Sequence, residues 1–148
     1  MPLSLHVDGQ KWRVHLGAMV NEKPVLVPVI KGNGYGFGLE FLAAEATRLG
    51  VDAVAVGLAS EVVKVRSAFA GEIIILSPDQ DFSQPSDPKV IQTISSISLL
   101  EKIDTNSNLI IEIKTPLNRH GIDISDLDQA LVIVKDRSLK LRPCVSPN

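Results

Sequence analysis

Short, wholly apolar runs alternate along this chain with longer segments whose apolar residues recur at helical spacing. That alternation leaves few folds open. "PVLVPVI" (24–30), "DAVAVG" (52–57), "EIIILS" (72–77), "KVIQTIS" (89–95), "NLIIEIK" (108–114) and "SLKLRPCV" (138–145) read as strands. Continuous apolar runs suit strands covered on both faces. Between them, "LEFLAAEATRLG" places Leu42, Ala46 and Leu49 on one helical face, with Gly50 as the stop. In "ASEVVKVRSAFAG", Ser60 is the expected N-cap, Val62, Val65 and Phe69 share a face, and Gly71 ends the segment. "SLLEKID" (98–104) reads as a short helix, and Ser125 opens another in which Leu127, Ala130, Leu131 and Val134 repeat. "PDQDFSQPSDP" (78–88) is a polar, proline-bearing loop.

Repeated strand–helix units imply an α/β fold with a parallel sheet and crossover helices. An open doubly wound sheet and an incomplete (β/α)8 barrel of TIM type both fit. A complete barrel needs about 250 residues, and the chain has 148. The six strands from residue 24 onward would make three-quarters of a barrel. Residues 1–23 stand apart as a lead-in strand, "LSLHVD", and a helix from Gly9 to about Val20 capped by Asp8, with Trp12 and Leu16 on one face.

Bulk properties narrow the function classes. Hydrophobic residues make up 45 % and charged residues 22 %, with a net charge of −2, so nothing favours nucleic acid or an anionic membrane as partner. No apolar stretch approaches the roughly 20 residues that span a bilayer, and the N-terminus lacks the pattern of a secretory signal. The expected compartment is cytoplasmic. Cys144 is the only cysteine, which excludes an intramolecular disulfide. No two of His6, His15 and His120 have metal-ligand spacing with a nearby carboxylate or cysteine.

The chemistry concentrates in "VPVIKGNGYGFG" (27–38). Its lysine precedes the glycines, whereas a phosphate-binding P-loop places lysine after them; the glycine spacing is also wrong for a dinucleotide fingerprint. Lys31 ends a strand expected to be buried, on the face where parallel α/β proteins carry their sites. Burial disfavours an ammonium, and Schiff-base chemistry requires a neutral amine. Glycines after it would let backbone approach a ligand closely. A solvent-reaching lysine followed by a flexible turn is the alternative.

"VIKGNGYGFG" resembles the pyridoxal-phosphate lysine motif of the alanine racemase family at Lys31, Asn33, Tyr35, Gly36 and Gly38. "IEIKTPLNRHGID" (111–123) is similar to a second family segment, in which an arginine is followed two positions on by glycine. "LHVDGQKWRVHL" resembles the start of family members, so the likeness covers nearly the whole chain. The resemblance implies an N-terminal (β/α)8 barrel over residues 24–148, a separate C-terminal β domain with no counterpart here, homodimers, and pyridoxal 5'-phosphate as cofactor. It implies racemisation of a small-molecule amino acid, through removal of the α-proton from a substrate joined to the cofactor. Lys31 would carry the cofactor as a Schiff base and act as one acid/base group; Tyr35 would bind the cofactor phosphate, Leu76 would line the pocket, and Arg119 would donate to the phenolic oxygen. Leu117 matches the position whose backbone N–H holds the substrate carboxylate.

Several positions depart from the pattern. Phe37 replaces a common histidine, Pro116-Leu117 replaces Gly-Met, and Lys114 replaces an aspartate. Glu112 stands where many members carry a carbamylated lysine, and could offer Arg119 a carboxylate without modification. The family's second catalytic base, a tyrosine of the C-terminal domain, has no match, as expected of a truncated or split gene product with impaired activity. A non-catalytic cofactor-binding module, an inert remnant, and decarboxylase or aldolase chemistry are the other readings.

Overall fold

The computed structural model describes residues 6–23, 25–78, 87–117 and 119–142. Helix α1 (Gly9–Glu22) begins at Asp8, whose carboxylate accepts the N–H groups of Gln10 and Lys11. The remaining helices are α2 (Leu39–Leu49), α3 (Val62–Arg66), α4 (Ile97–Lys102) and α5 (Leu127–Asp136). Five strands, β1 (Ala53–Val56), β2 (Glu72–Ile75), β3 (Val90–Ile94), β4 (Asn108–Ile111) and β5 (Lys140–Leu141), form one all-parallel sheet in the order β1-β2-β3-β4-β5.

One feature decides between the architectures that the sequence left open. A doubly wound sheet reverses its strand order at a switch point, and this order runs in sequence without reversal. Glu72 of β2 also forms an ion pair with Arg142, just past β5. The chain is a segment of a parallel barrel.

The two faces of each strand follow from its pleat. Val54, Val56, Ile73 and Ile75 point outward into a core shared with Leu39, Ala43, Ala46, Val62, Val65 and Phe69. A second core joins Ile94 and Leu109 to Leu99, Leu100, Ile103, Ile122, Ala130 and Leu139. The concave face carries Ala53, Ala55, Ile74, Ile91, Thr93 and Ile110 by alternation.

Several expectations need correction. Of the run 24–30, Pro24 lies outside the described residues and 25–30 form no extended strand: among the described residues the run meets the sheet through one bridge, Val29 to Ala55. Proline lacks the N–H that a ladder needs, so Pro28 only accepts, from Ala55 N–H at 2.8 Å, while Ile30 N–H donates to Ala55 at 2.9 Å. The last strand is Lys140–Leu141 only, and the rest of that run, with Cys144, lies outside the described residues. So do Met1–Leu5 of the lead-in segment, whose His6–Asp8 form no strand, and most of the 78–88 loop. The segment after β1 does not use Ser60 as the cap of α3: Glu61 stands at that position, and it makes no side-chain capping bond there. Before α5, Asp123 accepts the N–H of Ser125, and a short 3-10 turn, Ile124–Asp126, precedes the helix.

Candidate active site

The strand ends come together at one mouth of the barrel. Ile30 pairs with Ala55, Leu76 N–H donates to Val56 at 2.9 Å, Ser77 N–H to Gly57 at 3.0 Å, and Glu112 N–H to Ile94 at 2.9 Å. Lys31, Gly57, Leu76 and Glu112 therefore sit on successive strand ends, apart from the intervening end of β3.

Beyond Ile30 the backbone turns left-handed for four consecutive residues. Gly32, Asn33, Gly34 and Tyr35 have φ of 60°, 54°, 60° and 54°. A left-handed residue with a side chain costs roughly 1–2 kcal/mol, and asparagine bears it best. Glycine at alternate positions halves the number of strained residues. Gly34 has a second reason to be glycine: it is buried, and a Cβ there would lie 2.9 Å from Leu42 Cδ1. The turn closes through Tyr35, Gly36 and Phe37 N–H groups donating to Gly32, Asn33 and Gly34, with Gly38 N–H also donating to Asn33. Gly36 and Gly38 continue the positive φ at 96° and 92°.

Lys31 is exposed, not buried as the strand reading implied, because the turn carries it past the end of the sheet. Its stem is nonetheless placed. A Cβ on Gly57 would meet Lys31 Cβ at 3.1 Å and Lys31 Cδ at 3.6 Å, so the lysine stem lies across a backbone that carries no side chain. Among the described residues Lys31 makes no ion pair within 4.0 Å. Tyr35, on the same turn, is 65 % exposed.

Two contacts that the sequence did not signal hold this turn. The Glu61 carboxylate accepts from Gly32 N–H at 2.7 Å through Oε1, and from Gly57 at 2.7 Å and Leu58 at 3.0 Å through Oε2. On the far side, Trp12 of α1 stacks on Phe37 and Phe41, with ring centroids 6.1 Å apart in both pairs. Helix α1 is itself fastened to α2 by Arg13, which donates to buried Glu45 alongside Arg48. The Arg13 hydrogen bond holds the Glu45 carboxyl below the usual carboxylate range; burial opposes it and Arg48 adds to it.

Arg119 occupies the opposite side of the mouth. It sits in an excursion closed at its base by Lys114 N–H to Ile122 at 2.9 Å and Ile122 N–H to Glu112 at 2.8 Å, in which Lys114–Leu117, Arg119 and His120 are exposed. Leu117 is 80 % exposed in it. Arg119 lines a cleft of about 570 Å³ with Lys102, Lys114, His120, Ser77, Ser95 and Ser96. Lys31, Tyr35 and Leu76 do not line that cleft; Ser77, bonded to Gly57, connects the two sides. The expected Glu112–Arg119 pair is not formed. Glu112 Oε2 is buried without a hydrogen-bond partner while Arg119 reaches into solvent.

These residues fit a phosphorylated aldehyde with a phenolic oxygen. The donor set offers a primary amine, a phenol and a guanidinium at one mouth, basic side chains line the cleft, and Glu112 keeps an unused acceptor.

A parallel-barrel segment with a lysine on a glycine-rich turn at its C-terminal mouth defines the class. The sequence matches the family model described as "Alanine racemase, N-terminal domain" over residues 10–146, and the chain belongs to that family. It is 36 % identical over 121 residues to an alanine racemase of Campylobacter concisus, covering 80 % of this chain and 34 % of that protein. To one from Campylobacter jejuni it is 30 % identical, covering 86 % of this chain and 38 % of the other. The chain thus spans about a third of the length of the curated relatives it matches. Among solved structures, alanine racemase from Oenococcus oeni superposes with a TM-score of 0.72 at 24 % identity, over 89 % of this chain and 41 % of that one. The Clostridium difficile 630 enzyme gives 0.76 at 20 % identity, over 92 % and 39 %. Among the described residues no helix is long and apolar enough to cross a membrane.

Proposed function

We propose that this chain binds pyridoxal 5'-phosphate through Lys31 and carries one half of an amino-acid racemisation site. The observation behind this reading is the placement of Lys31: on a left-handed turn, at the barrel mouth, with its stem laid across Gly57. The bound cofactor supplies an electron sink that acidifies the Cα–H of an attached amino acid.

The chain's own residues do the rest. Lys31 would anchor the cofactor through its amine and, once a substrate amine has displaced it there, the freed amine would move a proton at the substrate Cα from one face. Tyr35 donates its hydroxyl to the phosphate, with Asn33, Gly36 and Gly38 shaping the turn that presents it. Leu76 supplies an apolar wall. Arg119 donates to the phenolic oxygen, and Glu112 accepts from Arg119 with the oxygen that now lacks a partner. Leu117 offers its N–H to the substrate carboxylate, next to a cleft whose basic lining favours anions. A racemase needs a proton group on the other face of Cα as well. The sequence has a single tyrosine, Tyr35, so the family's second base is not in this sequence. We expect cofactor binding with little or no racemisation by the chain alone.

The test is to mix the purified chain with pyridoxal phosphate, reduce with borohydride and locate the adduct by peptide mass. One label on Lys31, absent from Lys31→Ala, supports the reading. Label spread over surface lysines, equal in both proteins, defeats it. Exchange of the alanine α-hydrogen for deuterium separates a working half-site from a cofactor-binding module without catalysis.

A further inference from the structure

We infer that Glu61 is the positioning residue for Lys31, acting through backbone rather than through its charge on the amine. The inference rests on the reading of Lys31 as the cofactor lysine. Glu61 is 29 positions from Gly32 in sequence, yet its carboxylate joins the first peptide of the lysine turn to the end of β1: Gly32 N–H on Oε1, Gly57 and Leu58 N–H on Oε2. Bonds from N–H to an ionised carboxylate are stronger than neutral ones, and two of these measure 2.7 Å. The same carboxylate abuts the contact that places the lysine stem. A Cβ on Gly57 would lie 3.1 Å from Lys31 Cβ and 3.3 Å from Glu61 Oε2.

A strained turn needs an outside restraint to persist. Asn33 and Tyr35 hold left-handed φ values here, and the Glu61 bond to Gly32 fixes the turn at its first residue. The three donors are all backbone N–H groups, and Glu61 forms no ion pair with Lys31. Glu61 therefore sets where the amine points without pairing with it. Glutamine cannot reproduce this arrangement. One of its two terminal atoms is an NH2 donor, which would face an N–H instead of accepting from it.

The test compares wild type, Glu61→Gln and Gly57→Ala in three measurements. Amide exchange at Gly32, Gly57 and Leu58 should quicken at least tenfold in Glu61→Gln. Borohydride-trapped label on Lys31 at limiting cofactor should fall at least tenfold in both variants, and the circular dichroism induced in the bound cofactor should collapse while the cooperative far-ultraviolet melt persists. Should Glu61→Gln fail to fold, Glu61→Asp, which keeps the charge on a side chain one methylene shorter, carries the comparison, with the same losses of protection and labelling expected. Unchanged exchange overturns the inference, as does faster exchange with undiminished labelling. If wild type takes no label on Lys31, the cofactor reading fails separately. Acetylation of Lys31 relative to exposed Lys64 then decides for Glu61: a ratio altered in Glu61→Gln upholds positioning, and an unaltered ratio overturns it.

Discussion

The two sides of the barrel mouth are built to different standards. On the lysine side every element is fastened: Glu61 ties the turn to β1, Trp12 stacks on Phe37 and Phe41, and Glu45 joins α1 to α2. On the arginine side, the bonds among described residues that close the excursion lie at its base, the Leu117 and Arg119 side chains reach solvent, and Glu112 keeps a buried oxygen without a partner. The cores below do not differ in this way, since each contains side chains wholly removed from water. The difference is confined to the mouth. It teaches that the turn carrying Lys31, the proposed anchor, is preorganised by this chain's own contacts, while Arg119 and Leu117, proposed for the ring and the substrate, stand exposed.

Truncation in either core gives the largest effect and tests whether the halves are one cooperative unit. Ile75 belongs to the first core and Leu100 to the second, and both are buried. Ile75→Ala and Leu100→Ala should each cost about 2–5 kcal/mol. The two cores meet along β2 and β3, which pair in parallel through Ile73–Val90, Ile74–Ile91 and Ile75–Gln92. Denaturant unfolding followed by far-ultraviolet signal and by Trp12 fluorescence should give coincident transitions in both variants. A Leu100→Ala protein that loses helix signal while Trp12 stays in its stack would show that the lysine half folds independently.

What could be read from the sequence divides along the range of the interactions. Strand and helix placement is local, and the apolar runs at 53–56, 72–75, 90–94 and 108–111 lie where the strands form. The pairing order is not local. It took the sequential strand order to separate a barrel from a doubly wound sheet. The face of α2 was read in part: Ala46 is buried and Leu42 packs against the same core, as expected, but Leu39, Ala43 and Glu45 are the other buried residues and Leu49 is not among them. At the site, the glycines announced an unusual backbone, and Lys31, Asn33 and Tyr35 stand on it. Glu61 sent no signal. A glutamate early in a helical segment reads as a first-turn acid, and only the approach of Gly32 to Gly57 turns it into a bridge.

Gly34 gives the next effect and sharpens the contrast at the mouth. Alanine there would hold a left-handed φ and press its Cβ against Leu42, so Gly34→Ala should destabilise by about 1–3 kcal/mol. It should also lower cofactor labelling of Lys31 beyond what the loss of fold explains. Leu117→Ala, on the opposite excursion, should leave the melting midpoint where it was, because its side chain lies 80 % exposed. Equal destabilisation by the two would mean that the excursion is packed as firmly as the lysine turn, and the contrast would fail.

The smallest effect is a response to acid, and it too should belong to the lysine side. Glu45 is depressed below its usual value of 4.5, chiefly by the Arg13 hydrogen bond. A group depressed by folding stabilises fully above its unfolded value and loses that contribution as pH falls through the folded one. The α1–α2 fastening should therefore be intact above about pH 4.5 and weaken below it. Trp12 is the only tryptophan, and its stack on Phe37 and Phe41 reports the docking of α1. Its fluorescence should titrate below pH 4.5, ahead of the loss of helix signal, and Glu45→Gln should remove that step. Asp123 is also depressed, by the N–H and hydroxyl of Ser125, but it serves only the turn before α5. Its titration should leave Trp12 unmoved. A fluorescence step that survives in Glu45→Gln would place the acid-sensitive contact elsewhere, and α1 would no longer count among the restraints that hold the lysine turn.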